Sequence, residues 1–173
     1  MWNNIESYQI RKNNTLGDIE NSILEARRSA NETYRNLQNK INTNTENVAM
    51  TAFLPSDVRL IVGSLVQFSD VKFSAGMGNM IVFKRTGKFI CEKEGLYIIS
   101  VTILTVTNAG EFYLYVNGSI FATSYKYQSN AWWSSSSIII SLELQVNDSV
   151  WIQTNGIQVR GGSYSHLTIV KLK

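Results

Sequence analysis

The period of the apolar residues changes once along this chain, near residue 47, and that change limits the folds open to it. From residue 2 to 41 a seven-residue repeat places Trp2, Gln9, Leu16, Ile23, Ala30 and Leu37 at one seam position. Ile5, Lys12, Ile19, Ala26, Thr33 and Lys40 fall at the other. Beyond Val48 the repeat gives way to short runs rich in Val, Ile, Tyr, Phe and Ser, separated by Gly, Asn and Asp. A period near 3.6 is that of an amphipathic helix, whereas short apolar runs between turn residues are those of antiparallel strands. We therefore expect a helical segment with its linker over 1–47 and a β domain over 48–173.

The helical segment is best formed between Leu16 and Leu37, where Glu20, Glu25, Arg27, Arg28, Glu32 and Arg35 occupy the polar faces. Lys12, Thr33 and Lys40 interrupt the seam, and a shift to Tyr34 and Ile41 after Ala30 restores apolar contacts as a four-residue stutter. A lone polar helix is marginal in water, so the sequence predicts a self-associating coiled coil. The alternative is an amphipathic helix packed on its own domain. Asn42, Thr43, Asn44, Thr45, Glu46 and Asn47 are poor helix formers and predict a junction.

In the second part, strands are expected near 48–54, 58–62, 64–68, 79–84, 86–91, 96–107, 111–118, 136–146, 149–155 and 164–172. Their number and spacing suit an all-β sandwich or jelly roll and leave no room for βαβ crossovers. Asn117-Gly118 lies between two strand-like runs, where positive φ is needed for a tight hairpin. Two strands fail to alternate cleanly. In Leu96 to Leu104, Tyr97, Ile99, Val101 and Ile103 line one face, but the other also carries Leu96, Ile98 and Leu104. Ile138, Ile139 and Ile140 are consecutive in the 136–146 run. A second covered face follows, and a subunit interface would supply it.

The stretch Phe89 to Val101, FICEKEGLYIISV, spaces Phe89-x5-Gly95-x-Tyr97 ahead of an apolar strand. It resembles the signature of the C1q domain. VAMTAF at 48–53, YLYVNGS at 113–119, LELQVNDSVWIQ at 142–153 and YSHLTIVKL at 164–172 stand where that family would place them. VKFSAGMGNMIVF supplies Phe73, Asn79 and Phe83 out of step with the family motif, which implies a shortened or rearranged loop before Phe83. The resemblance implies a jelly-roll head of the C1q/TNF-like superfamily, three of which pack around a threefold axis. It further implies a secreted, trimeric, non-enzymatic recognition protein, and it looks most like the short C1q-domain immune lectins of invertebrates such as molluscs. A glycan or microbial surface ligand is then expected. The alternative is a structural or cytokine-like protein whose head binds a receptor or matrix protein.

Charge and composition narrow the partners. The chain is 44% apolar and 17% charged, which is globular. Six of the sixteen Lys and Arg and six of the thirteen Asp and Glu lie in 1–47, so the net +3 sits in the second part, where it is scattered. No basic run interleaves with aromatics, so no nucleic-acid partner is expected, and no apolar stretch is long enough for a membrane span. MWNNIESYQI is too polar for a signal-peptide core, so a leader was either removed or never present. Sequons at Asn13, Asn31, Asn117 and Asn147 fit a secreted protein.

Chemistry-bearing residues are few. His166, the single histidine, lies in an apolar strand and reads as a structural imidazole. Cys91, the single cysteine, falls on the same face as Phe89 and reads as a buried thiol; an interchain disulfide would need it exposed. No nucleophile elbow accompanies His166, and neither a metal-ligand spacing nor a cofactor motif is present. The acidic cluster that binds calcium in some C1q domains has no counterpart here.

Binding groups concentrate in two stretches. SYKYQSNAWWSSSS at 124–137 reads as a polar connection carrying Tyr125, Lys126, Tyr127, Trp132 and Trp133. Adjacent strand residues face opposite ways, so both tryptophans cannot enter one core, and one of them belongs at an interface or in a ligand pocket. Aromatic faces stack on sugar rings while neighbouring polar groups bond hydroxyls and carboxylates. Packing of both tryptophans between subunits is the plainer reading. NGIQVRGGSY at 155–164 places Arg160 before two glycines, either as an exposed guanidinium for an anionic group or as part of a simple turn.

Overall fold

The computed structural model describes residues 2–45, 47–127 and 132–172, with side chains placed over 11–12, 14–41 and the later described stretches. The chain forms two compact units, Met1–Thr45 and Glu46–Lys173. The first is a single helix, α1 (Trp2–Thr45). It runs through Thr43 and Thr45, where a junction was expected. Weak propensity costs only a few tenths of a kcal/mol per residue, while extending an existing helix adds one hydrogen bond for each residue fixed. Leu16, Ile19, Ile23, Leu24, Leu37 and Ile41 line it, each about half exposed.

The second unit is a sandwich of two antiparallel sheets. Its elements are β1 (Ala49–Phe53), β2 (Val58–Arg59), β3 (Val62–Leu65), β4 (Asp70–Ala75), α2 (Met80–Thr86), β5 (Phe89–Ile90) and β6 (Gly95–Thr105). Then follow β7 (Ala109–Val116), β8 (Ser119–Tyr127), β9 (Ser134–Leu144), β10 (Ser149–Asn155), β11 (Gln158–Val159), a 3-10 turn (Gly162–Tyr164) and β12 (His166–Lys171). The larger sheet runs β2-β11-β6-β12-β1-β4, with β9 along the other side of β6. The smaller runs β3-β10-β7-β8, with β5 beside β10.

The strand β6 organises the core. Gly95 to Thr105 pairs with β9 from Leu144 to Ser134 and, on its other side, with β12. Its inward residues Tyr97, Ile99, Val101 and Ile103 are fully buried against Leu114, Ile152, Leu144 and Ile169. Tyr97 hides its ring and donates its hydroxyl to the Lys93 carbonyl at 2.6 Å. Burial raises its pKa, so the phenol stays a donor across the physiological range. Cys91 is buried and turns its thiol to the same carbonyl at 3.2 Å.

The run 79–84, expected as a strand, is instead the helix α2. Only Phe83 of this segment is fully buried, with Met80 one turn before it partly buried against the core and Ile81 left in solvent. That is i, i+3 spacing and not alternation. Gly87 closes the helix with φ 70° and donates to the Phe83 carbonyl at 2.8 Å, and Lys84 and Arg85 lie in the last turn, where cations suit the helix dipole.

Candidate functional site

One end of the sandwich gathers most of the candidate residues, and the last residue of β6 holds it together. Thr105 is buried and pairs with Ser134 of β9 on one side and Val159 of β11 on the other. Its hydroxyl donates to the Gln158 carbonyl at 2.6 Å and accepts from the Thr107 amide at 3.1 Å. Its carbonyl accepts from Lys126 Nζ at 2.8 Å. The two binding stretches, distant in sequence, therefore meet through a single buried residue.

Lys126 corrects the sequence reading. Residues 119–127 form strand β8, and a polar connection does not begin until after Tyr127. Alternation on this strand turns Ser124 and Lys126 inward and leaves Tyr125 and Tyr127 exposed. Lys126 keeps only 7% of its surface exposed. Its ammonium is spent on Thr105, and burial lowers its pKa, as desolvation disfavours the charged form. It is a strut between sheets and presents no charge to a ligand.

Arg160 is placed differently. Its amide continues the ladder onto the Leu104 carbonyl at 2.9 Å, which brings the residue beside the start of β9. Its guanidinium carbon lies 5.3 Å from the centre of the Trp133 ring and 4.3 Å from that of Tyr164. Trp133 is 36% exposed and Tyr164 48%. Two π faces hold the cation, each contact worth roughly 0.5–1 kcal/mol at such exposed sites. Among the described residues no salt bridge joins a carboxylate to Arg160. The result is a pre-oriented guanidinium fork with aromatic walls, suited to an anionic group on a ligand that also offers a flat apolar face.

The loop behind Arg160 is pinned, not mobile. Gly161 donates its amide to Asp57 Oδ1 at 2.8 Å, and Gly162 donates to the Leu54 carbonyl at 2.7 Å. A Cβ on Gly161 would stand 2.2 Å from the Ser56 carbonyl carbon, so a side chain there would displace the loop. Gly161 fits a close approach to Ser56, and the bonds to Asp57 and Leu54 hold the turn that follows Arg160.

Trp132 is 71% exposed and neither tryptophan enters the core. Residues 128–131, between Tyr127 and Trp132, lie outside the described residues. His166 packs its ring on Phe53 with centroids 5.6 Å apart. Among the described residues no cluster of His, Cys, Asp or Glu side chains is arranged to hold a metal ion.

Sequence reasoning missed a second feature at this end. An open cleft of about 440 Å³ is lined by Arg59, Leu60, Val106, Thr107, Asn108, Ala109, Gly156, Ile157 and Gln158. Its walls are the β6–β7 and β10–β11 turns and β2, brought together only by the fold. The opposite, outer face of the smaller sheet carries a separate aromatic row. Tyr115 stacks on Trp151 at 5.2 Å, Lys88 Nζ lies 4.1 Å from the Trp151 ring centre, and Tyr113 meets Tyr115 edge-on while bonding the Glu111 carboxylate. These rings largely satisfy one another.

A two-sheet jelly roll is the class that the fold defines. Residues 62–168 match the C1q domain, more than half of the chain, so the protein belongs to the C1q domain family. The globular domain of zebrafish complement 1qA protein is 17% identical with a TM-score of 0.62, covering 74% of this chain and 98% of that domain. The Eiger TNF structure from S. frugiperda is 14% identical with a TM-score of 0.56, over 73% of this chain and 92% of that one. Murine APRIL is 12% identical with a TM-score of 0.57, over 73% and 99%. At these identities the likeness is one of fold. No curated protein matches the chain in sequence. Among the described residues no helix is long and apolar enough to cross a membrane.

Proposed function

We propose that this protein is a secreted, trimeric recognition module that binds glycans or microbial surface ligands through its C1q head, without catalysis. The observation that carries the reading is Arg160 held between Trp133 and Tyr164. A saccharide offers an apolar C–H face to aromatic rings and hydroxyl or carboxylate oxygens to a guanidinium. Trp132, next to Trp133 in the chain, is also exposed. Trimerisation draws support from two places. The exposed stripe of α1 is the seam of a coiled coil. The outer face of the larger sheet carries Ile139, 71% exposed, and Leu96, 39% exposed, which a neighbouring head would cover. Weak single sites on three heads would act together through effective concentration.

A second reading rests on Tyr125 and Tyr127, exposed on β8, with Trp132. Tyr and Trp are enriched at protein interfaces, and such a surface suits a receptor or matrix protein, or a neighbouring subunit. The two readings separate on an array of sialylated and neutral glycans, lipopolysaccharide and peptidoglycan, with free sugar as competitor. Competable retention is the outcome the first reading requires. A blank array from folded trimer transfers the function to a protein partner.

A further inference from the structure

We infer that the cleft between β2 and the β6–β7 and β10–β11 turns is a second saccharide subsite, one that takes a sugar bearing a ring carboxylate. This rests on the glycan reading above but on different residues. The lining contains one cation, Arg59, and no acidic side chain. Asn108 and Gln158 stand on its rim and are exposed, each with amide donors and an acceptor for hydroxyl or acetamido groups. The rest is apolar, with Leu60, Val106, Ala109 and the buried Ile157 offering a surface to the C–H face of a pyranose. Its volume of about 440 Å³ falls in the range of small-ligand sites.

The cleft is built, not incidental. Gln158 donates its amide to the Thr107 hydroxyl at 2.9 Å, Thr107 donates its own to Thr105, and Leu60 donates to the Ile157 carbonyl at 2.9 Å. These bonds tie the three walls together before any ligand arrives. Gly110 leaves the space that Ile157 fills, since a Cβ there would come within 2.4 Å of its Cγ2. Gly156 turns the wall with φ 78°. Arg59 pairs with Gln158 across β2 and β11.

The test is titration of the ¹⁵N-labelled full chain with free N-acetylneuraminic acid, glucuronic acid, N-acetylglucosamine and sulfate. The Asn108 and Gln158 side-chain amide signals are followed in the wild type, Arg59→Gln and Trp133→Ala, and the Gln158 signal alone in Asn108→Ala. We expect at least one acidic sugar to shift both signals, with affinity falling tenfold or more in Arg59→Gln and several-fold in Asn108→Ala. Trp133→Ala should leave that titration unchanged. The sialic and uronic arms show which carboxylate geometry fits. Three results would overturn the subsite: no shift from either acid at millimolar concentration, undiminished affinity in Arg59→Gln, or sulfate acting as well as the sugars. If array retention then still depends on Trp133, the recognition reading stands without this cleft.

Discussion

The helix and the sandwich treat the same kinds of side chain in opposite ways. In the sandwich Tyr97, Phe68, Phe83, Phe89 and Met50 are almost wholly removed from water. Along α1, Leu16, Ile19, Ile23 and Leu37 each keep about half of their surface exposed. Full burial of one such side chain contributes roughly 1.5–3 kcal/mol, a gain that the inner faces of the sandwich make and α1 by itself does not. The difference is that the sandwich buries a core within itself, whereas the apolar stripe of α1 stays about half exposed. On the proposed reading the head presents its exposed end for recognition, and α1 together with the outer face of the larger sheet sets how many heads act together.

That contrast can be broken most forcefully in the core. Ile99→Ala removes a fully buried side chain from the centre of β6 and should cost about 2–5 kcal/mol in urea unfolding of the head. Ile23→Asn should leave the head's unfolding midpoint in place and instead lower the mass of the full chain from trimer in sedimentation equilibrium. If the helix variant shifted the head's midpoint as much as Ile99→Ala, the two segments would not be separable.

The smallest effect expected lies at Lys126, where the head buries a charge as well as apolar surface. Its folded pKa is lowered, so at neutral pH both states are protonated and the folded state bears the full cost of burying the ammonium. As pH rises through the lowered folded value toward the ordinary value of 10.5, the unfolded state binds more protons than the folded and wild-type stability gains. The stability of Lys126→Met relative to wild type should therefore fall over that window, read by thermal unfolding from pH 7 to pH 10. A gap independent of pH would show that the ammonium is not desolvated. Glycan retention should be the same in both, since Lys126 faces inward.

This strand also shows where sequence stops being readable. The switch of period near residue 47, the shared face of Tyr97, Ile99, Val101 and Ile103 on β6 and the buried thiol of Cys91 follow from side-chain pattern alone. So does the turn at Asn117-Gly118, where φ is 51° and 85°. The returning strand β8 was missed because its polarity is inverted. Its inward residues Ser124 and Lys126 are polar, whereas Ile120, Phe121, Tyr125 and Tyr127 point to solvent. The helix α2 was missed because MIVF is four apolar residues in a row, and nothing local says that only an i, i+3 pair faces inward.

The candidate site was legible as ingredients and not as geometry. Trp133 and Arg160 each stood out by residue type, yet their meeting depends on rows of backbone pairing through Leu104 and Thr105. In sequence Tyr164 reads only as the start of the 164–172 strand and of YSHLTIVKL, and nothing marks it as a neighbour of Arg160. The Arg59 cleft left no mark at all, because its lining comes from three separated turns and strands.

The account stands on the claim that Arg160 and its two rings hold the ligand. The most direct measurement is a binding titration of full-length wild type, Trp133→Ala and Arg160→Gln on the glycan best retained by the array, with sedimentation equilibrium and unfolding run beside it. We predict that both variants lose at least tenfold in affinity, about 1.4 kcal/mol or more, while mass and unfolding midpoint are unchanged. Wild-type binding curves from both variants would contradict it.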